Sequence, residues 1–185
     1  MCGIFGLWRS EYQPVDLAGL QQATNTIRHR GPDDEGYLLV NTQTGRLVAC
    51  GGSLTAAELD LPPLQAVTGE AFDLTFGFRR LAILDLSPAG HQPMGSADGR
   101  YWIVFNGEVY NYIELRSELA NIGHQFRSGS DTEVILAAYA QWGAAMLNRF
   151  VGMFAFAILD RQAKTLLLAR DFFGIKPLYY TLAGG

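Results

Sequence analysis

The sequence is short of the features that usually announce a partner. Among 185 residues there are two cysteines and three histidines, and His29, His91 and His124 stand too far apart for metal-ligand spacing. That removes a zinc site built on Cys and His. Lys and Arg total 14 against 18 Asp and Glu, for a net charge of −4 and a pI near 5.3. The basic residues are scattered, which excludes the footprint of a nucleic-acid or anionic-membrane surface. The longest apolar run, Phe150–Leu159, falls well short of the ~20 residues that span a bilayer. Met1–Tyr12 has neither a basic leader nor an apolar stretch long enough for a signal peptide. Neither nucleic acid nor membrane is expected as a partner, and a cytoplasmic protein follows. The oligomeric state, homo-oligomer included, is open.

What is present is an ordinary globular composition, 49% hydrophobic and 17% charged, in a chain long enough for one domain with a sizeable core. We read residues 1–185 as that domain. The spacing predicts a first strand over Ile4–Trp8 and a helix from Leu17 to about Ile27 behind an Asp16 cap. A turn-rich loop follows at 28–33, then a hairpin of Tyr37–Val40 and Leu47–Cys50. Gly51–Glu70 has little periodicity and reads as an inserted surface segment with a short helical turn near Ala56–Leu59. Leu74–Asp85 is strand-like, Ser87–Gly99 is a Gly/Pro-rich loop, and Tyr101–Phe105 is a strand entering Asn106-Gly107-Glu108. Asn111 caps a helix over Tyr112–Ile122 that Gly123 stops. Ser130 and Glu133 have capping-box spacing before a helix over Thr132–Trp142. Val151–Leu159 pairs with Thr165–Arg170, and Tyr179–Leu182 is a last strand. Strands in hairpins with a few helices predict an α+β fold with largely antiparallel sheets.

The chemistry starts at Cys2. Removal of Met1 would leave a residue carrying both a thiol, which titrates near 8.5, and an α-amine, which titrates near 7.7–8.0. The amine can then take the thiol's proton, so nucleophile and base sit in one residue. The alternative is a buried, inert cysteine at the start of a strand. A thiolate attacking an amide needs donors for the developing oxyanion. Asn106-Gly107 offers a side-chain amide and an unobstructed N–H, although Asn-Gly is also the strongest short hairpin signal. Arg80, set among apolar residues, needs a partner: a substrate carboxylate, the Asp85 side chain, or solvent at a sheet edge. Asp131 can cap a helix or receive a substrate ammonium, and Glu108 can share that work or face solvent. The three histidines read as structural.

Taken in order, Met1-Cys2-Gly3-Ile4, Arg28-His29-Arg30-Gly31-Pro32-Asp33, Arg80-Leu81-Ala82-Ile83-Leu84-Asp85, Asn106-Gly107-Glu108-Val109-Tyr110-Asn111, Ser128-Gly129-Ser130-Asp131-Thr132-Glu133 and Gly174-Ile175-Lys176-Pro177-Leu178-Tyr179-Tyr180 carry a resemblance along the whole chain. The sequence resembles the class II glutamine amidotransferase domain of glutamine-hydrolysing asparagine synthetases. The resemblance implies a four-layer αββα sandwich of the N-terminal-nucleophile hydrolase type, in which L-glutamine is hydrolysed to glutamate and ammonia through a cysteinyl thioester. By position it makes Cys2 the nucleophile and its α-amine the base, with Asn106 and Gly107 as the oxyanion hole. Arg80 then holds the glutamine α-carboxylate, Asp131 and Glu108 its α-ammonium, and the backbone through Leu84 lines the pocket. Arg30 and Pro32 shape a supporting loop.

No cofactor is implied for the glutaminase step. The resemblance assigns ATP and Mg²⁺ to a synthetase domain that this sequence does not contain, a partner supplied by a full-length protein or in trans. Two departures stand out: the Gly51–Asp73 segment is longer than in compact relatives, and no Ser-Gly-Gly-type phosphate loop follows the Pro-Leu-Tyr-Tyr motif. Other class II amidotransferases, which aminate sugars or phosphoribosyl groups, and a catalytically silent binding module are the competing readings. The presence of Cys2 weighs against the silent module. Active protein is expected to lack Met1, because a preceding peptide bond turns the amine into a non-basic amide. Intact-mass measurement of active protein checks this, and full activity in homogeneous Met1-bearing protein would overturn it.

Overall fold

The computed structural model describes residues 1–14, 16–69 and 71–182, with side chains described outside 10–14. The ends of the inserted segment at Glu70 and of the domain at Gly185 therefore lie outside the described residues. Two four-stranded antiparallel sheets face each other. The first is built from β1 (Gly3–Pro14), β2 (Asp34–Val40), β3 (Leu47–Gly51) and β4 (Ala71–Arg80), in the spatial order β1-β4-β2-β3. The second runs β5-β6-β7-β8, from β5 (Met94–Gly95), β6 (Tyr101–Val109), β7 (Gly152–Asp160) and β8 (Thr165–Arg170). Helix α1 (Leu17–Thr26) lies on the first sheet, and α2 (Tyr112–Asn121) and α3 (Asp131–Trp142) lie on the second.

Side chains on a strand alternate between faces, and the three apolar cores follow that parity. Leu38, Val40, Leu74, Phe76 and Phe78 of the first sheet meet Val104, Ala157 and Leu159 of the second. On the outer face of the first sheet, Tyr37, Leu39 and Cys50 pack with Leu20 of α1. Ile103, Phe105, Phe156 and Ile158 instead face Leu115, Leu119, Val134 and Ile135 of the two helices over the second sheet. The result is the expected αββα layering.

Several elements differ from the sequence-based expectation. The first strand runs to Pro14, with an irregularity between Trp8 and Gln13. The fourth stops at Arg80 rather than Asp85, because the chain leaves the sheet there: the Leu81 and Ala82 N–H groups donate to Cys2 Sγ and to Asp33 Oδ2. Asn106-Gly107 is no hairpin turn but lies inside β6, paired with Ala155 and Phe154. Asn111 makes no capping bond with its side chain. It ties the helix start to the β7 approach instead, donating to Arg149 O and accepting from Val151 N–H. Ser130 caps α3 as expected, whereas Glu133 accepts from the N–H groups of Arg127 and Ser128 rather than closing a capping box. The inserted segment is not purely superficial: Leu64, in a 3₁₀ turn over Leu64–Ala66, is fully buried in the α1 core. No strand forms over Tyr179–Leu182, where both tyrosines and the leucine stand largely in solvent and pair with no strand among the described residues.

Beneath the outer face of β4, the Arg79 guanidinium is completely enclosed. It pairs with Glu35 and donates to Thr24 O and the Asn25 side chain at the end of α1. Glu35 also accepts from Tyr37 Oη, Ser53 Oγ and Leu54 N–H, and burial together with the Glu35 charge pushes the Tyr37 hydroxyl up to about 12. Breaking a buried pair strands the remaining charge. Arg79→Met is therefore expected to destabilise the domain by about 3–5 kcal/mol in denaturant unfolding, with Arg79→Met/Glu35→Leu recovering part of the loss. Equal losses in the two variants would show that the stranded charge is not the cause.

Candidate active site

Strand parity and register assemble the site. Gly3 pairs with Arg79, so Cys2 arrives at the end of β4 beside the Arg80–Leu81 step. Cys2 and Ile4 share the inter-sheet face with Phe78, and Asn106 shares the parity of Val104. One end of the sandwich therefore holds a cleft of about 170 Å³ lined by Cys2, Arg80, Asn106, Gly107, Glu108 and Asp131. Leu84 borders it too, along with Leu81, Gln92 and Lys176. All seven residues singled out from the sequence thus meet at one pocket.

The Cys2 sulfur is held by backbone. Leu81 N–H donates to Cys2 Sγ at 3.4 Å, and the thiol in turn faces Leu81 O at 3.6 Å. Burial pushes the Cys2 thiol up from its ordinary range; the Leu81 N–H bond, the N-terminal charge and Arg80 pull it down, and Asp131 adds to the rise. Arg30 Nε donates to Cys2 O at 3.2 Å, which gives the 28–33 turn the supporting role expected of it. At Gly31 any Cβ would run into the main chain of Arg79 and Arg80, so only glycine lets the turn approach so closely.

On the same cleft the Asn106 side chain is buried, and no hydrogen bond joins its carboxamide to the described residues. A Cβ at Gly107 would collide with Met153 O and Phe154 Cα, so the backbone there is bare by necessity. Arg80 is buried and held by carbonyls, Nη1 donating to Ser87 O at 2.9 Å and Nη2 to Asp85 O. Asp85 thus meets Arg80 through its carbonyl. Its carboxylate accepts from Ser87 Oγ and from Gly129 N–H at 2.8 Å, linking the Arg80 loop to the loop before α3.

Asp131 begins α3, and its Oδ2 accepts Val109 N–H at 3.0 Å. Burial raises its carboxyl to about 6; the Val109 and Thr132 N–H bonds oppose the rise and the Glu108 charge adds to it. Glu108 is half-buried on the same rim. The cleft thus gathers the Arg80 guanidinium, the Glu108 and Asp131 carboxylates and the Cys2 thiol along one lining. That pattern complements a zwitterionic amino acid with an electrophilic side chain.

Sequence reasoning missed three contributors. Leu81 acts through its backbone, which leaves no side-chain signature. Gln92, buried in the predicted loop, accepts from Phe105 N–H at 2.7 Å and donates to Thr132 Oγ1 at 3.3 Å. Its position between two turn-rich stretches was the available hint. Lys176 stands in the Gly174-Ile175-Lys176-Pro177 stretch, whose sequence gives no sign that the lysine is buried. Among the described residues no cluster of three His, Cys, Asp or Glu side chains could hold a metal ion, and no helix is long and apolar enough to cross a membrane. The glycine-rich Gly51-Gly52-Ser53 turn does not fit a nucleotide phosphate, since Ser53 Oγ and Leu54 N–H already serve the Glu35 carboxylate.

The four-layer αββα sandwich, with a cysteine just before its first strand, is a fold shared with a solved amidotransferase. The chain superposes on glutamine phosphoribosylpyrophosphate amidotransferase from Bacillus subtilis with a TM-score of 0.68 over 91% of this chain and 37% of that one, at 24% identity. At that identity the likeness concerns the fold. A glutamine amidotransferase domain family matches residues 64–185, and the chain belongs to that family. It is 40% identical over 184 residues to asparagine synthetase [glutamine-hydrolyzing] 1 of Bacillus subtilis (strain 168), covering 98% of this chain and 24% of that protein. It is 39% identical over 199 residues to a putative asparagine synthetase [glutamine-hydrolyzing] of Mycobacterium tuberculosis (strain ATCC 25618 / H37Rv), covering 100% and 26%. With asparagine synthetase B [glutamine-hydrolyzing] of Escherichia coli (strain K12) it shares 34% identity over 180 residues, 97% of this chain and 26% of the relative. The chain spans about a quarter of the length of these relatives.

The raised carboxyl of Asp131 has a thermodynamic consequence. A folded-state pKa of about 6 against about 3.9 unfolded means the folded protein binds the extra proton, so stability falls as pH rises from about 4 to 6 and is level above. Asp131→Asn is expected to be more stable than the parent at pH 7 by roughly 1–3 kcal/mol and equal to it near pH 4. Denaturant unfolding at the two pH values checks this; an equal or lower stability of the variant at pH 7 would refute it.

Proposed function

We propose that the domain hydrolyses L-glutamine to glutamate and ammonia at Cys2 and, within a longer protein, delivers that ammonia to an ATP-dependent synthetase domain that makes asparagine. The observation that carries this reading is the convergence of Cys2, Asn106-Gly107, Arg80 and Asp131 on one amino-acid-sized cleft. The names of the full-chain relatives favour asparagine as the product over other acceptors.

The steps follow from the chemistry of the groups. Glutamine's α-carboxylate is received at Arg80 and its α-ammonium by Asp131 with Glu108, each a charge-assisted bond. The clamp lays the side-chain amide along the cleft toward the sulfur, where positioning replaces a bimolecular encounter. The α-amine of Cys2, free after Met1 is removed, takes the thiol proton. The thiolate attacks the amide carbon, and the oxyanion that forms is stabilised by the Asn106 carboxamide and the Gly107 N–H. The ammonium then gives its proton to the leaving nitrogen, ammonia departs, and a thioester remains. Water, deprotonated by the same amine, attacks the thioester through a second oxyanion. Collapse releases glutamate and the thiol.

Each group that the proposed hydrolysis uses lies within this chain. Met1-free protein incubated with glutamine, aspartate and MgATP is expected to form glutamate and ammonia, independently of ATP and Mg²⁺, and no asparagine. In the same assay Asn106→Ala should lower kcat by about 10²–10³, the cost of one oxyanion donor. Enzyme-dependent asparagine from this chain would overturn the division of labour, and an Asn106→Ala effect confined to KM would overturn the oxyanion role.

A further inference from the structure

Lys176 is buried at the rim of the cleft, 5% exposed. Its position is fixed by its own main chain. The Asp171 carboxylate accepts the N–H groups of Phe154, Ile175 and Lys176 at 3.2, 2.9 and 3.0 Å, which pins the loop to the β7 residue paired with Gly107. From there the side chain reaches back to the N-terminus, Nζ lying 2.8 Å from Met1 Sδ. No carboxylate or carbonyl among the described residues holds this ammonium. A thioether is a weak acceptor, and a buried cation with no better partner is costly. The one neighbour that does hold it belongs to the residue whose removal the proposed chemistry requires.

We propose that Lys176 is a positioning residue which, once Met1 is gone, biases the Cys2 α-amine toward its neutral form and the thiol toward thiolate. The proposal rests on the N-terminal-nucleophile reading. Lys176 Nζ contacts the side chain of the residue bonded to the Cys2 nitrogen, so it lies within about 9 Å of that nitrogen by covalent reach. A cation at that range disfavours protonated amine and favours thiolate, so both titrations move down together. The opposing charges are Asp131 from α3, Glu108 from β6, Asp85 from the loop after β4 and Asp33 from the 28–33 turn, which all favour the protonated amine. Arg80 and Arg30 act in the same sense as Lys176, Arg80 held by the Ser87 and Asp85 carbonyls and Arg30 by the Cys2 carbonyl. When glutamine brings its own carboxylate to Arg80, Lys176 and Arg30 are the cations left to offset the acidic rim.

The test uses Met1-free protein labelled with ¹³C-cysteine. Cys50, the only other cysteine and buried, serves as an internal reference. Because amine and thiol are coupled, the readout is the first macroscopic pKa of the Cys2 Cα and Cβ signals. Lys176→Met is expected to raise it by about half to one pH unit, and to move the acid limb of kcat/KM for ammonia release upward by the same amount. Lys176→Arg, which keeps the charge, should leave both in place. Should the methionine variant fail to fold, Lys176→Gln carries the neutral arm. An unmoved Cys2 titration in the neutral variant, or an arginine variant that behaves like it, would overturn the proposal. If the parent protein releases no ammonia at all, the glutaminase reading fails, and the Cys2 titration alone still decides the role of Lys176.

Discussion

The site depends on one strand register. Because Gly3 sits opposite Arg79, the residue before the first strand falls against the residues just past the end of β4, and the Leu81 main chain grips its sulfur. A slip of one residue would turn every side chain of β1 to the other face and carry the cysteine out of the cleft. The register is held by what flanks it: Arg30 on the Cys2 carbonyl, Ile4 in the inter-sheet core, and a glycine at position 31 that lets a turn press against β4.

The adjacent arginines show how one strand can serve two masters. Arg79 and Arg80 point to opposite faces. Arg79 is sealed under α1 against Glu35, while Arg80 faces the cleft, supported by carbonyls of the following loop. Neither side chain could be left alone in such surroundings. The first is satisfied entirely within the fold. The second is braced by neutral oxygens, which leaves its charge available to an anion entering the cleft.

The acidic side of the cleft is arranged differently. Asp131 is buried, raised to about 6, and close enough to Glu108 to feel its charge. In a protein shaped for stability alone this carboxylate would be a liability. On the proposed reading a substrate ammonium would supply the charge that burial lacks. Gln92 joins the two halves, bonding the strand residue before Asn106 and the helix residue after Asp131.

By itself the sequence singled out the residues that the fold gathers at one cleft. Cys2, Arg80, Asn106, Gly107, Glu108 and Asp131 stand in ordered motifs, and alternating apolar residues marked most of the strands and the helices that present them. It also determined the Asp16 and Ser130 caps, where side-chain chemistry is local. It could not say that Asn106-Gly107 lies inside a strand, because the same dipeptide suits a turn until a partner such as β7 pairs with it. Nor could it show that Tyr179–Leu182 lacks a partner, since a β-prone run becomes a strand only beside another. The Leu81 clamp, the Gln92 bridge and the enclosed Lys176 were decided by tertiary structure alone. Backbone donors carry no residue identity, and whether a lysine or glutamine is buried depends on segments distant in the chain folding over it.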